Sequence, residues 1–365
     1  MKIAQIAPLI ESVPPQLYGG TERIVSYLTE ELVRQGHHVT LFASGDSVTS
    51  ATLHACCRQA LRSDKSVVDP IPYYMAMLDQ VKRSADDFDI LHFHIDQFQF
   101  PLFNQSGART LTTLHGRQDL PDLRHLYRSF PDMPLVSISH AQRKPLLNGN
   151  FVATVHHGLP DRFLKPTFDP RGGYLAFLGR ISPEKRVDRA IAIAQAVGLP
   201  LKIAAKVDRA DAAYFRDVIA PLLEQPGVEF IGEIDEHGKA AFLGEALALL
   251  FPIDWPEPFG LVMIEAMACG TPVLAFRNGS VDEVIDEGVT GCIVTTLDDA
   301  IRAVPKVIAL DRRKVRRRFE KRFSVERMAT DYVSVYRLLR EASVAPQAKP
   351  AKVRILRNGS DLALH

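Results

Sequence analysis

The stretch from Phe251 to Phe276 restricts the folds open to this chain more than any other part of it. It opens where the apolar run Ala246 to Phe251 gives way to Pro252, Pro256 and Pro258, so a buried strand ends there in a loop. From Gly260 onward Leu261, Ile264 and Met267 recur at helical spacing, and Gly270 followed by Pro272 supplies a C-terminal glycine and a stop. Val273 to Phe276 reads as a second strand. Strand, loop, helix and strand make one βαβ unit. A ligand in such a unit sits beyond the carboxyl end of the first strand, against the helix N-terminus.

Two carboxylates flank that place. Glu257 and Glu265 lie eight residues apart, yet Pro258 keeps the first in the loop while the second projects from the helix interior, so they are not one solvated stripe. One can reach a ligand's hydroxyls at the loop and the other hydroxyls a turn or two along. The backbone N–H groups of Phe259, Gly260 and Leu261 are open to an anion. Polyol-binding carboxylates around a phosphate-binding helix end describe a sugar-nucleotide site. The run from Glu257-Pro-Phe-Gly through Cys269-Gly-Thr-Pro-Val273 strongly resembles the signature of the retaining glycosyltransferases of family 4. That resemblance implies the GT-B arrangement, two Rossmann-like domains facing each other across a cleft.

The bulk properties agree with such a molecule. A chain of 365 residues is long for one core and predicts two domains. Hydrophobic residues at 46% and charged residues at 24% are those of a soluble globular protein. A net charge of +1 argues against a nucleic-acid partner, which usually needs a basic excess. Cys56, Cys57, Cys269 and Cys292 show no C-x-x-C spacing and read as reduced thiols without a zinc site. The first residues pass straight into a strand pattern, unlike a signal peptide, and no run approaches the roughly eighteen apolar residues of a membrane span. The expected location is cytoplasmic, with a peripheral contact at the inner membrane face left open.

In the first half, Lys2 to Ala7 reads as a buried strand, followed by a loop through Pro14-Pro15 to Gly19-Gly20. Thr21 is positioned to cap a helix whose apolar face is Ile24, Val25, Leu28, Leu32 and Val33. Adjacent glycines before a helix N-terminus let a backbone approach an anion closely, although a flexible loop reads the same way. Further short strands fall at His38–Ala43, Ile90–His94, Thr110–His115 and Leu135–Ser139, which implies a parallel, doubly wound sheet. The segment from Ser44 to Pro72 has no clear pattern. His115 closes its strand before a glycine, at the end where ligands bind. His92 and His94 alternate onto one strand face without a third metal ligand, which favours packing, and Asp96 follows them as a weak acceptor contact.

A breaker-rich segment, with Pro160, Pro166, Pro170 and Gly172-Gly173, places a hinge between about 160 and 172. Beyond it, Tyr174–Leu178, Leu201–Lys206, Val228–Ile231 and Leu247–Phe251 read as strands. Helices are expected at 210–223 and 236–246. Arg180 and Lys185 bracket a strand-to-helix turn, where two cations oppose the helix dipole unless an anion lies between them. Lys206 and the backbone from Gly232 to Ile234 fall where a nucleotide base would lie. The basic run Arg312–Arg318 reads as a solvated face, with attraction to anionic lipid as the less favoured alternative. Val325, Met328, Tyr332, Val335 and Leu339 mark a closing helix, and the residues from 343 read as a disordered tail.

The resemblance implies residue roles as well. Arg180 and Lys185 match the Gly-Arg-x-x-x-x-Lys pattern that holds the donor diphosphate, with Arg186 standing where a glycine is usual. Gly19 and Gly20 match a turn facing the diphosphate and the acceptor. His115 matches a histidine near the transferred sugar, and Glu257 and Glu265 match the residues on sugar and ribose hydroxyls. The catalytic candidates are thus His115, Arg180, Lys185 and Glu257; donor binding falls to these last three with Gly19, Gly20, Phe259, Gly260, Leu261 and Glu265. The implied reaction moves a hexosyl group from a UDP- or GDP-sugar to an acceptor hydroxyl with retention. It uses no metal and no cofactor beyond the nucleotide sugar, and the acceptor is a sugar, lipid-linked sugar or small molecule. A nucleotide-sugar epimerase or hydrolase on the same fold, or a binding protein without catalysis, are the alternatives. The domains are read as 1–165 for the acceptor, 166–324 for the nucleotide sugar, and 325–342 as the closing helix packed back on the first.

Overall fold

The computed structural model describes residues 1–17, 19–104, 109–146 and 148–344. Thirteen strands lie among them. Seven form the first sheet: β1 (Lys2–Ile6), β2 (His38–Ser44), β3 (Thr52–Cys57), β4 (Ile90–Phe93), β5 (Thr110–Thr113), β6 (Leu135–Ser137) and β7 (Phe151–Thr154). Six form the second: β8 (Tyr174–Arg180), β9 (Leu201–Lys206), β10 (Val228–Gly232), β11 (Ala246–Phe251), β12 (Val273–Phe276) and β13 (Gly291–Val294). The strand orders are β3-β2-β1-β4-β5-β6-β7 and β10-β9-β8-β11-β12-β13, and every pairing is parallel.

Both sheets therefore reverse winding direction once. The first does so between β1 and β4, the second between β8 and β11. A crevice opens beyond the strand ends at such a point, because the two neighbouring connections leave in opposite directions. The segments that emerge there are the Gly19-Gly20 turn after β1, the histidine segment after β4, the Arg180–Lys185 turn after β8 and the Glu257 loop after β11.

Several local expectations are corrected. Thr21 is not the helix cap: the helix Gly20–Arg34 begins after Gly19, with no capping side chain. His115 lies two residues beyond β5 rather than at its last position. The unpatterned segment from Ser44 to Pro72 contains the edge strand β3, whose side chains are at least partly exposed throughout, so burial left no run to detect. The final helix runs Val325–Val344; the tail from 345 onward lies outside the described residues.

The basic run is corrected too. It lies on the helix Arg312–Arg322, where Arg312 and Arg316 share the inward face with Val315 and Phe319. Arg312 donates to the carbonyls of Thr167, Gly244 and Ala246 and to Thr271 Oγ1. Arg316 donates to the carbonyls of Leu164 and Ala268. A helix turns one side of each turn of a cationic run inward, and carbonyls left open near the interdomain segment take the arginines that fall there. Arg312→Leu should lower stability by about 3 kcal/mol, since it strands several buried acceptors at once. Arg317→Leu, on the exposed face, should change it by less than about 0.5 kcal/mol. Denaturant midpoints of the two variants compare them directly. Among the described residues no helix is long and apolar enough to cross a membrane.

Candidate active site

The cleft between the sheets is lined from both sides. Leu17, Gly19, Gly20 and Arg23 come from the first half; Arg180, Lys185, Lys206, Glu233, Lys239, Gly260, Leu261 and Glu265 are among those from the second. The two halves nearly touch at the glycine turn, where a Cβ on Gly20 would stand 3.5 Å from Leu261 Cδ1. At Gly19 a Cβ would lie 2.7 Å from that of Pro15, so only glycine fits the turn as folded.

Opposite the turn stands the N-terminus of the helix Leu261–Ala268, entered through Gly260 at φ 80°. The loop before it is clamped by backbone. Gly279, at φ 54°, approaches so closely that a Cβ there would be 2.3 Å from both the nitrogen and the oxygen of Glu257. Ser280 N–H donates to the Glu257 carbonyl at 3.0 Å. From the first half, Ser139 Oγ donates to the Pro258 carbonyl at 2.7 Å. Glu283 reaches back to accept the backbone N–H groups of His140 and Ala141, and those contacts with His156 hold its carboxyl below the ordinary range despite burial.

Most of the charged groups are paired. Lys185 makes a hydrogen-bonded ion pair with Glu257, and Lys239 with Glu265 at 2.7 Å. Arg180 meets Glu184 at 2.5 Å, with Asp208 and Asp211 at 3.6 and 3.7 Å. The expectation that the two cations of the β8 turn stand unbalanced without a bound anion is thus overturned: carboxylates of the protein compensate both, Glu184 within the turn itself for Arg180 and Glu257, distant in sequence, for Lys185. An anion entering the cleft would compete for cations already aimed at negative charge. Arg186 holds φ 53°, a conformation glycine adopts at no steric cost, and is kept there by Asp188 and Asp254.

Of the residues singled out from sequence, Gly19, Gly20, Arg180, Lys185, Gly260, Leu261 and Glu265 line the cleft. Glu257 lies behind Lys185, 9% exposed. Phe259 is buried beneath the helix entrance. His115 stands apart, joined to the cleft through rings: it stacks on His157 at 5.4 Å, and His157 packs edge-on against Phe259 at 4.9 Å.

His115 also ends a buried polar chain. His94 Nδ1 lies 2.9 Å from His115 Nε2, His94 Nε2 lies 2.7 Å from Gln5 Oε1, and Gln5 Nε2 donates to Tyr336 Oη at 3.2 Å. Tyr336 Oη and Thr113 Oγ1 each lie 2.8 Å from a nitrogen of His92, and Thr113 Oγ1 meets Tyr332 Oη at 3.0 Å. The last helix is thereby tied to the first sheet. Burial pushes His115 down to about 3, and His92, His94 and His157 well below the ordinary histidine range. Lys239, Arg23, Gly279 and Trp255 were not anticipated. Only Trp255, as the one tryptophan of the chain beside the glutamate loop, carried a signal that could have drawn attention.

Comparison with known proteins gives this geometry a family. Residues 163–323 match the family model described as Glycosyl transferases group 1, and residues 18–138 that described as Glycosyltransferase Family 4. A phosphatidyl-myo-inositol mannosyltransferase of Mycobacterium leprae is 34% identical over a segment taking in 31% of this chain and 30% of that one. The N-acetyl-alpha-D-glucosaminyl L-malate synthase of Bacillus anthracis is 23% identical over 87% of this chain and 93% of its own. The Anabaena protein HepE, solved with UDP and glucose, superimposes with a TM-score of 0.69 at 18% identity, over 93% of this chain and all of that one. The two family models between them take in more than three quarters of the sequence, one in each half, and the chain belongs to the group 1 glycosyltransferases of family 4, on the GT-B fold.

Proposed function

We propose that the protein transfers a hexosyl group from a UDP- or GDP-sugar to an acceptor hydroxyl, with retention at the anomeric carbon and without a metal ion. The observation that carries this reading is the convergence of both sheets' switch points on one cleft, where Arg180, Lys185 and a helix N-terminus face the Gly19-Gly20 turn. A nucleoside diphosphate is a good leaving group only if the charge it gathers is stabilised. Two cations and a helix end, held in place before reaction, supply that stabilisation, the role a divalent ion fills elsewhere. Glu265 and Lys239 suit the ribose end. Glu257 suits hydroxyls of the transferred sugar, with His115 on the far side of Phe259.

In the reaction the bond from the anomeric carbon to the diphosphate breaks and the acceptor oxygen takes its place on the same face. The departing phosphate oxygen accepts the acceptor's proton. Its retained geometry comes from Lys185 and Arg180 holding the leaving group beside the sugar. The relatives' names point to sugar transfer onto chemically different acceptors, and the acceptor here is a sugar, a lipid-linked sugar or a small molecule; the setting is cytoplasmic.

The test is nucleoside diphosphate release from a panel of UDP- and GDP-sugars, with and without a pooled acceptor mixture, in EDTA. Release that requires acceptor, survives EDTA and is lost in Glu257→Ala is the expected result. Release independent of acceptor would instead indicate hydrolysis, and loss of activity in EDTA would remove the metal-free mechanism. Product stereochemistry, read by proton coupling at the anomeric position, checks retention.

A further inference from the structure

Glu257 is held by more than Lys185. Trp255 Nε1–H donates to Glu257 Oε2 at 3.0 Å, the same oxygen that Lys185 meets. Among the described residues Oε1 has no hydrogen bond. The backbone is fixed separately: Glu257 N–H donates to the Trp255 carbonyl at 2.8 Å, and Gly279 and Ser280 close over it. What the backbone leaves free is rotation of the side chain, and the two donors on Oε2 remove that freedom.

One of those donors cannot stay. A diphosphate in the cleft draws the Lys185 ammonium toward its oxygens, which carry more charge than a carboxylate. The indole remains. Its ring lies 5.0 Å from the Lys185 ammonium and 5.8 Å from the guanidinium of Arg117, a residue of the first half, so cations from both halves attend it.

We propose that Trp255 is a positioning residue for the donor sugar: its N–H holds Glu257 Oε2 while the diphosphate occupies Lys185, leaving Oε1 directed at a sugar hydroxyl. This rests on the donor site proposed above. The consequence is a division of labour. Lys185 serves the diphosphate, and Trp255 serves the sugar through Glu257.

Trp255→Phe keeps an aromatic ring for the cations and removes the N–H. With full-length protein, kcat/KM for the sugar nucleotide should fall by roughly 10- to 100-fold, the usual worth of a hydrogen bond to a charged group. The Kd for UDP or GDP alone should stay within about twofold. A merely structural role in the loop would weaken both, because the loop also carries the helix N-terminus.

The chain's single tryptophan supplies a second readout. Emission of the unliganded protein should differ between the wild type and Glu257→Gln, and should change as UDP or GDP displaces Lys185. Unchanged emission in Glu257→Gln overturns the proposal even if Trp255→Phe does not fold. Equal loss of nucleotide and sugar-nucleotide binding in Trp255→Phe, or no loss of either, also overturns it. If neither nucleotide binds the wild type by calorimetry, the donor-site reading falls, a result distinct from nucleotide binding with an indifferent Trp255.

Discussion

Replacing Lys185 by alanine should lower the rate constant for sugar transfer by roughly 100- to 1,000-fold, the usual cost of removing one fixed donor from a developing negative charge. The effect should exceed that of Glu265→Ala, which on the proposed donor site removes a ground-state contact to the ribose and should appear mainly in KM. The pairing of Lys185 with Glu257 adds a further expectation. Without the lysine, Glu257 loses its compensating charge and repels the incoming diphosphate. The double variant Lys185→Ala/Glu257→Gln should therefore bind nucleoside diphosphate more tightly than Lys185→Ala alone, although its transfer rate is lower still. Single-turnover rates and nucleotide Kd values for the four proteins form the cycle that measures this coupling. Independent losses, multiplying without interaction, would mean that the ion pair has no part in admitting the donor.

The self-pairing of the cleft also explains how so many charges share a small space. On the proposed donor site, each carboxylate assigned to a ligand hydroxyl is meanwhile neutralised by a neighbouring cation, as in Lys185 with Glu257 and Lys239 with Glu265. Binding then exchanges partners and desolvates few unpaired ions, which reduces the penalty of filling a polar cleft.

Sequence patterning revealed some of this and concealed the rest for identifiable reasons. The sheets were legible because their central strands are buried on both faces and so read as apolar runs, as in Ala246–Phe251 and Leu201–Lys206. β3 was not, because an edge strand with exposed side chains has no such run. Gly19, Gly20, Arg180 and Lys185 were legible as a turn or cation pair beside a helix start. The partner of Lys185 was not, since Lys185 and Glu257 are 72 positions apart and no local pattern expresses a contact between loops that the topology makes neighbours. The same holds for Arg312, whose partners are carbonyls and carry no sequence signature at all. Helical burial, one residue in each turn, was the missed cue there.

Acid should destabilise the protein steeply once the pH falls below about 6.5. His92, His94 and His157 are almost wholly buried, and burial together with mutual repulsion keeps them neutral; His115, less buried, is pushed down to about 3. Around them lie Gln5, Thr113, Tyr332, Tyr336 and Phe259, with Arg327 adding repulsion at His157, and among the described residues no carboxylate offsets a proton. The unfolded chain takes up protons near pH 6.5 while the folded one does not, so stability is fully present above that pH and lost as pH falls toward the folded-state values. At about 1.4 kcal/mol per proton and pH unit, the four histidines should cost roughly 5 kcal/mol between pH 7.5 and 5.5, a large share of the 5–15 kcal/mol typical of a domain. Glu283, whose carboxyl is held low, adds a separate loss only below about pH 4.5. Denaturant midpoints at pH 7.5, 6.5 and 5.5 measure the slope, and His157→Phe, which keeps the ring contacts with His115 and Phe259, should flatten it by about a quarter. A midpoint that does not move between pH 7.5 and 5.5 would show that the histidines charge within the folded protein. In that case His115 would meet the donor as a cation, and its place beside a developing negative charge would have to be counted with those of Arg180 and Lys185.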